Sequence, residues 1–98
     1  MLHIVNKSPL AGPALDTALR VANSGAVLLI EDAVYAATRG NTAAAKIEAA
    51  TAERPVYALL PDLEARGVAD RVISGVKTVD YAGFVDLVAE YPTCQSWL

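Results

Sequence analysis

Apolar and polar positions along this chain come in blocks whose period changes from one block to the next. Leu2 to Val5 is a short β-type run that ends in the turn cluster Asn6-Lys7-Ser8-Pro9. Gly12-Pro13 then opens a helix, with Pro in the first turn where its missing N–H costs nothing. Leu15, Ala18, Leu19 and Ala22 fall on one face of that helix, and Asn23-Ser24-Gly25 ends it. Ala26-Val27-Leu28-Leu29-Ile30 is apolar without alternation, the pattern of a central strand covered on both faces, as strands of parallel sheets are. Glu31-Asp32 follows at once, and Ala33 to Ala37 reads as a short helix with Asp32 as its expected N-cap.

Beyond Arg39-Gly40-Asn41, an Ala-rich helix is expected over Thr42 to Ala52, with Ile47 as its main large apolar side chain and Arg54-Pro55 as its stop. Val56 to Leu60 reads as the third strand, and Pro61 to Gly67 as a brief helix with Gly67 at its exit. Val76 to Val79 is the fourth strand, and Val72-Ile73 adds a bridge or a short edge. Asp80 should cap a helix whose apolar face is Phe84, Leu87, Val88 and Tyr91; Pro92 ends it and leaves the tail Thr93 to Leu98. This alternation predicts an α/β fold of three layers, with helices on both faces of a parallel sheet of four or five strands joined by right-handed crossovers. No repeat or linker interrupts it, so the 98 residues are expected to form one domain over 1–98.

Composition changes this picture in one respect. The chain is 54% hydrophobic but only 6% aromatic, so its core must be built mainly from Ala, Val, Leu and Ile. So short a chain cannot hide so apolar a composition in one core, and the surplus should surface either as contact patches or as Ala-rich helix surface. A net charge of -3 without a basic cluster speaks against direct binding of nucleic acid through its phosphates. No apolar run approaches the ~20 residues of a membrane helix, and the first residues lack the order of a secretory signal. One cysteine excludes an internal disulfide and a Cys-rich zinc site. A cytoplasmic protein without membrane contact is expected.

Few residues carry candidate chemistry. Cys94 is the only thiol; no Lys or Arg lies near it in sequence to favour the thiolate, whereas Glu90 does lie near. Glu31 and Asp32 leave the carboxyl end of a central strand, where open α/β sheets place ligands, and could act as acid and base; helix capping by Asp32 is the plainer reading. Lys7 and Ser8 leave the first strand at the same edge, where they could attract an anionic partner or simply make a turn. His3, alone in a strand, reads as a packed or edge residue and not as a metal ligand. Tyr35, Tyr91 and Trp97 can supply contact area to a partner, although Trp97 could equally fold back on its own domain. The Asn6 to Gly12 turn has neither dinucleotide nor Walker spacing, so no cofactor is expected, and a flavodoxin-like ligand-binding domain stands only as an alternative by fold analogy.

Several stretches together resemble the DsrH/TusB family. Met1 to Pro9 is similar to the family's opening Leu-His strand and Ser-Pro turn, and Leu28 to Ala37 to its second strand and acidic turn. Val56 to Leu59 with Asp62-Leu63 and Arg66-Gly67, Asp80-Tyr81 with Phe84-Val85, and Gln95-Ser96-Trp97 continue the likeness in order. The resemblance implies a subunit of a sulfurtransferase complex, a heterohexamer with DsrE/TusD-like and DsrF/TusC-like subunits, which takes persulfide sulfur from small sulfur-carrier proteins. In the Tus branch that sulfur ends in 2-thiouridine at the tRNA wobble position; in the Dsr branch the complex serves dissimilatory sulfur oxidation. The wording of Asn6 to Pro9 and Ile30 to Asp32 is nearer the Dsr branch. Many sulfur-oxidiser members carry a cysteine in the first helix, where this chain has Ala18, and the principal sulfur-bearing cysteine normally sits on another subunit. The resemblance therefore implies an accessory subunit, with sulfur carriage by Cys94 as a rival reading.

Overall fold

The computed structural model describes residues 1–21 and 25–97. The expected helix positions Ala22, Asn23 and Ser24, and the final Leu98, lie outside the described residues. Five strands, β1 (Leu2–Val5), β2 (Ala26–Leu29), β3 (Val56–Leu59), β4 (Lys77–Val79) and β5 (Cys94–Trp97), form one sheet in the order β4-β3-β2-β1-β5. Every pairing is parallel, from Leu2 beside Ala26 and Cys94 to Leu59 beside Val79. The α/β architecture expected from the alternation is therefore present.

Between the strands lie α1 (Ala14–Val21), a 3₁₀ helix over Glu31–Ala37, α2 (Ala44–Thr51), α3 (Leu60–Ala65), a 3₁₀ turn over Ala69–Arg71, and α4 (Tyr81–Glu90). Strands β1 to β4 are laid down side by side, so their right-handed crossovers all fall on one face. On that face Val5, Val27, Leu29, Val56 and Ala58 pack against Leu15 and Ala18 of α1, Ile47 of α2 and Leu63 of α3. The connection from β4 to β5 must instead return across the whole sheet, and it carries α4 over the opposite face. There Leu2, Ala26, Leu28 and Leu87 form a second, smaller cluster, with Ile4, Ile30, Tyr57, Val79, Phe84 and Tyr91 only partly buried around it.

Local chemistry explains several boundaries. Asp80 caps α4, its Oδ1 accepting from the Gly83 N–H at 2.8 Å, as expected. Gly67 leaves α3 with φ 69, the left-handed exit that glycine adopts without strain. Gly25 is required by close approach, since a Cβ there would stand 1.9 Å from the Met1 carbonyl oxygen. Val72 pairs with Thr38 as an antiparallel bridge, which accounts for the apolar pair Val72-Ile73.

Three expectations need correction. The helix after β2 is a 3₁₀ helix that begins at Glu31, and Asp32 does not cap it. Asp62 of α3 does that work from across the fold, its Oδ2 accepting from the Glu31 N–H at 2.6 Å, while Asp32 pairs with Arg66. Val88, placed on the buried face of the last helix, is exposed, because a lone helix on a sheet buries a narrow stripe and in α4 that stripe holds Leu87 and Phe84. The tail is no tail: Cys94–Trp97 is an edge strand, tied to β1 from its first residue by the Leu2 N–H donating to Thr93 O at 2.9 Å.

Candidate functional site

Carboxyl ends of parallel strands are where an open α/β sheet offers side chains to a ligand. At this edge β1 delivers Asn6, Lys7 and Ser8, β2 delivers Glu31 and Asp32, and β3 runs straight into α3 with Asp62 and Arg66. The sequence-predicted acidic pair is thus placed at the expected edge, but one oxygen of each is already engaged. Asp32 Oδ1 accepts two hydrogen bonds from Arg66, at 3.0 Å from Nε and 2.8 Å from Nη2. This bond is the main reason the Arg66 guanidinium holds its proton even more tightly than usual, with burial opposing and the charges of Asp32 and Asp62 assisting. Glu31 Oε2 accepts from Asn6 Nδ2 at 3.4 Å, and the Glu31 backbone, at φ 51, is held by Asp62. Carboxylates bound in this way serve as structural ties between β2, its 3₁₀ helix and α3.

Beside these ties opens a cleft of about 520 Å³ between the loop after β1 and the 3₁₀ helix. Pro9, Leu10 and Val68 supply apolar lining, Tyr35 stands half-exposed against it, and Arg71 contributes the charged group. Its wall is stiff: the Asn41 amide donates to Tyr35 O at 2.9 Å and to Thr38 O, and Asn41 Oδ1 accepts from the Ala43 N–H at 2.7 Å. Thr38 adds a 2.7 Å bond from its hydroxyl to Tyr35 O. None of the lining residues is Cys, His, Asp or Glu, so the hydroxyls of Ser8, Tyr35, Thr38 and Thr42 have no carboxylate or imidazole base among the lining to activate them. It offers an apolar, partly aromatic surface with one guanidinium, which suits docking better than chemistry. Asn41 and Arg71 escaped the sequence reading because a turn signal such as Arg39-Gly40-Asn41 says nothing about which distant residues it will meet.

The remaining sequence candidates are dispersed. Cys94 begins β5 opposite Leu2 and so level with Ala26, at the amino edge of the sheet, which leaves roughly 16 Å along the strand direction between it and Glu31. Its side chain is exposed, and register places it on the face that α4 covers. His3 and Trp97 come together, as the packed reading of both allowed: Trp97 Nε1 donates to His3 Nδ1 at 3.2 Å, and the rings stack with centroids 6.2 Å apart. The acceptor nitrogen requires neutral His3, and burial, assisted by the N-terminal amine and Arg54, pushes its pKa below the ordinary value. Tyr91 sits partly buried beside Tyr57 beneath α4, and burial raises its pKa, with Tyr57 and Glu90 adding to the effect. Among the described residues no three His, Cys, Asp or Glu side chains gather as a metal site would need. Nor is any helix among them long and apolar enough to cross a membrane.

Comparison with known proteins bears on nearly the whole chain. A family model described as DsrH like protein matches residues 7–94. Protein TusB of Pectobacterium parmentieri is 37% identical over 98 residues, covering 99% of this chain and 100% of that relative. Protein TusB of Escherichia coli (strain K12) is 31% identical over 97 residues, with the same shares covered. Among solved structures, the ychN protein from E. coli superposes with a TM-score of 0.85 over 97% of each chain, at 22% identity. A protein of unknown function, MTH1491 from Methanobacterium thermoautotrophicum, follows with a TM-score of 0.71 over 97% of this chain and 95% of its own, at 16% identity. At such identities these structures show the shared fold.

Proposed function

The chain belongs to the DsrH family, and on that premise we propose that it works as a subunit of a cytoplasmic sulfur-relay complex that passes persulfide sulfur between carrier proteins toward thiolation of the tRNA wobble uridine. The observation that carries this reading is the likeness to TusB proteins over 99% of the chain, at 31–37% identity. It also favours the thiolation branch over sulfur oxidation: the turn wording that is nearer the Dsr branch spans a few residues, whereas the TusB likeness spans them all. The site supports an accessory role. Its carboxylates are tied into structure, its cleft is lined by no thiol, and Ala18, where sulfur-oxidising members have a cysteine, lies fully buried in the core. The chain acts in this reading as one domain over 1–98, in a heterohexamer with DsrE/TusD-like and DsrF/TusC-like subunits that hold the reacting thiol.

The test is reconstitution with those subunits and a persulfide donor, followed by intact-mass measurement of each chain. Sulfur is expected on the partner thiol, with Cys94→Ser leaving transfer nearly unchanged. A complex that transfers sulfur equally well without this chain would refute the reading. Trp97, Tyr91 and Tyr35 are proposed contact residues, and Trp97→Ala should weaken assembly by more than about 1 kcal/mol. The exposure of Cys94 favours one second reading, that the chain itself carries sulfur; a persulfide adduct on Cys94, with transfer abolished in Cys94→Ser, would establish it.

A further inference from the structure

The two faces of the sheet are unequally covered, and α4 itself is unequally used. Of its apolar side chains only Leu87 is buried, whereas Tyr81, Val85 and Val88 are 62%, 66% and 40% exposed. These three stand at i, i+4 and i+7, so they form one continuous stripe along the helix. The stripe adjoins the half-buried Phe84 side, so apolar surface runs unbroken from the helix down to the sheet. An exposed apolar surface of this kind on a soluble chain marks a contact with another protein. Its rim has a definite sign: α4 carries Asp86 and Glu90 and no Lys or Arg. Lys77, on β4, lies over the Tyr57 ring at 6.0 Å from its centroid. A second copy docked through the same patch would set acidic rim against acidic rim, since a two-fold contact pairs each surface with itself.

We infer that the α4 face is where this chain docks on a partner subunit, and that the partner offers an apolar patch edged with Lys and Arg. The inference rests on the subunit reading and adds to it the surface and its electrostatic sense. Complementary rims of this kind speed encounter and fix the register, while the apolar stripe supplies the affinity. The contact is distinct from the cleft beside Tyr35, which lies on the opposite face.

The experiment co-expresses the full chain with the DsrE-like and DsrF-like subunits and titrates the purified components, comparing wild type with Val85→Asp, Tyr81→Lys and Ala45→Asp. All three substituted positions are solvent-exposed, and circular dichroism confirms folding of each variant. Val85→Asp and Tyr81→Lys should each weaken assembly about tenfold or more, while Ala45→Asp, on the outer surface of α2, should leave it unchanged. Asp86→Lys combined with Glu90→Lys should slow association and flatten its dependence on salt. Assembly by wild type and both stripe variants with equal affinity would overturn this inference and leave the subunit reading intact. Failure of wild type to assemble at all would overturn both. Self-association of the chain alone that Val85→Asp abolishes would give the face to a second copy and refute the partner named here.

Discussion

On one face of the sheet, three α-helices and a 3₁₀ helix bury Leu15, Ala18, Ile47 and Leu63 against β1, β2 and β3; on the other, α4 alone buries Leu87. The strands are the same in both cases, and their unalternating apolar sequences equip both faces for burial. What differs is the order of the connections. Stepwise crossovers stack helices on one side, and the single return crossover leaves the other side to one ten-residue helix. The crowded face is therefore where stability resides, and the thin face is where apolar surface is left for a partner.

Substitutions can break this comparison. The largest expected effect is Ile47→Ala beneath α2, where a fully buried side chain leaves a cavity and should cost about 2–5 kcal/mol in urea unfolding. Val85→Ala on α4, at 66% exposure, should stay within about 0.5 kcal/mol of wild type. Equal losses at the two positions would mean that the faces are energetically alike.

The two aspartates of the crowded face give the next effect. Asp62→Ala removes the acceptor of the Glu31 N–H and should cost about 1–2 kcal/mol, as loss of a helix cap does. Asp32→Ala removes an exposed ion pair with Arg66 and should cost about 0.2–1 kcal/mol. The reverse ranking would restore Asp32 as the cap. On the thin face, Asp80→Ala should cost about 1 kcal/mol. Its loss should appear in hydrogen exchange as fraying of α4, with α1 to α3 protected as before.

The gentlest effect is a single titration. Neutral His3 accepts the Trp97 bond, and its folded pKa is held below the ordinary value, chiefly by burial. As pH falls below about 6.5, the unfolded chain therefore binds more protons than the folded one, and stability falls. Above that value the contribution is fully present. The urea midpoint, followed through Trp97 fluorescence, should drop on acidification, and His3→Gln should flatten the dependence. An unchanged slope in His3→Gln would detach the effect from this pair.

Residues whose neighbours in sequence are also their neighbours in space were legible from the start. The run Ala26–Leu29 declares a buried strand by composition alone, Asp80 sits directly before the helix it caps, and Gly67 directly after the helix it ends. The family likeness was legible for the same reason, because it rests on the order and spacing of such local signals along the chain. Only tertiary structure decided the rest. Cys94-Gln95-Ser96-Trp97 has little intrinsic strand character and becomes β5 because β1 offers it an open row of hydrogen-bonding groups. Asp32 is the cap that local sequence offers, and the close packing of α3 against the 3₁₀ helix gives the role instead to Asp62, 31 residues beyond Glu31. Val88 shares the helical period of Leu87 and Phe84, yet the return crossover supplies no second helix to cover it, so a residue that the pattern assigns to the core stands in solvent. Period and propensity act over a few residues, whereas strand order is settled by contacts between distant parts of the chain, and it is strand order that separates the buried face from the one left for a partner.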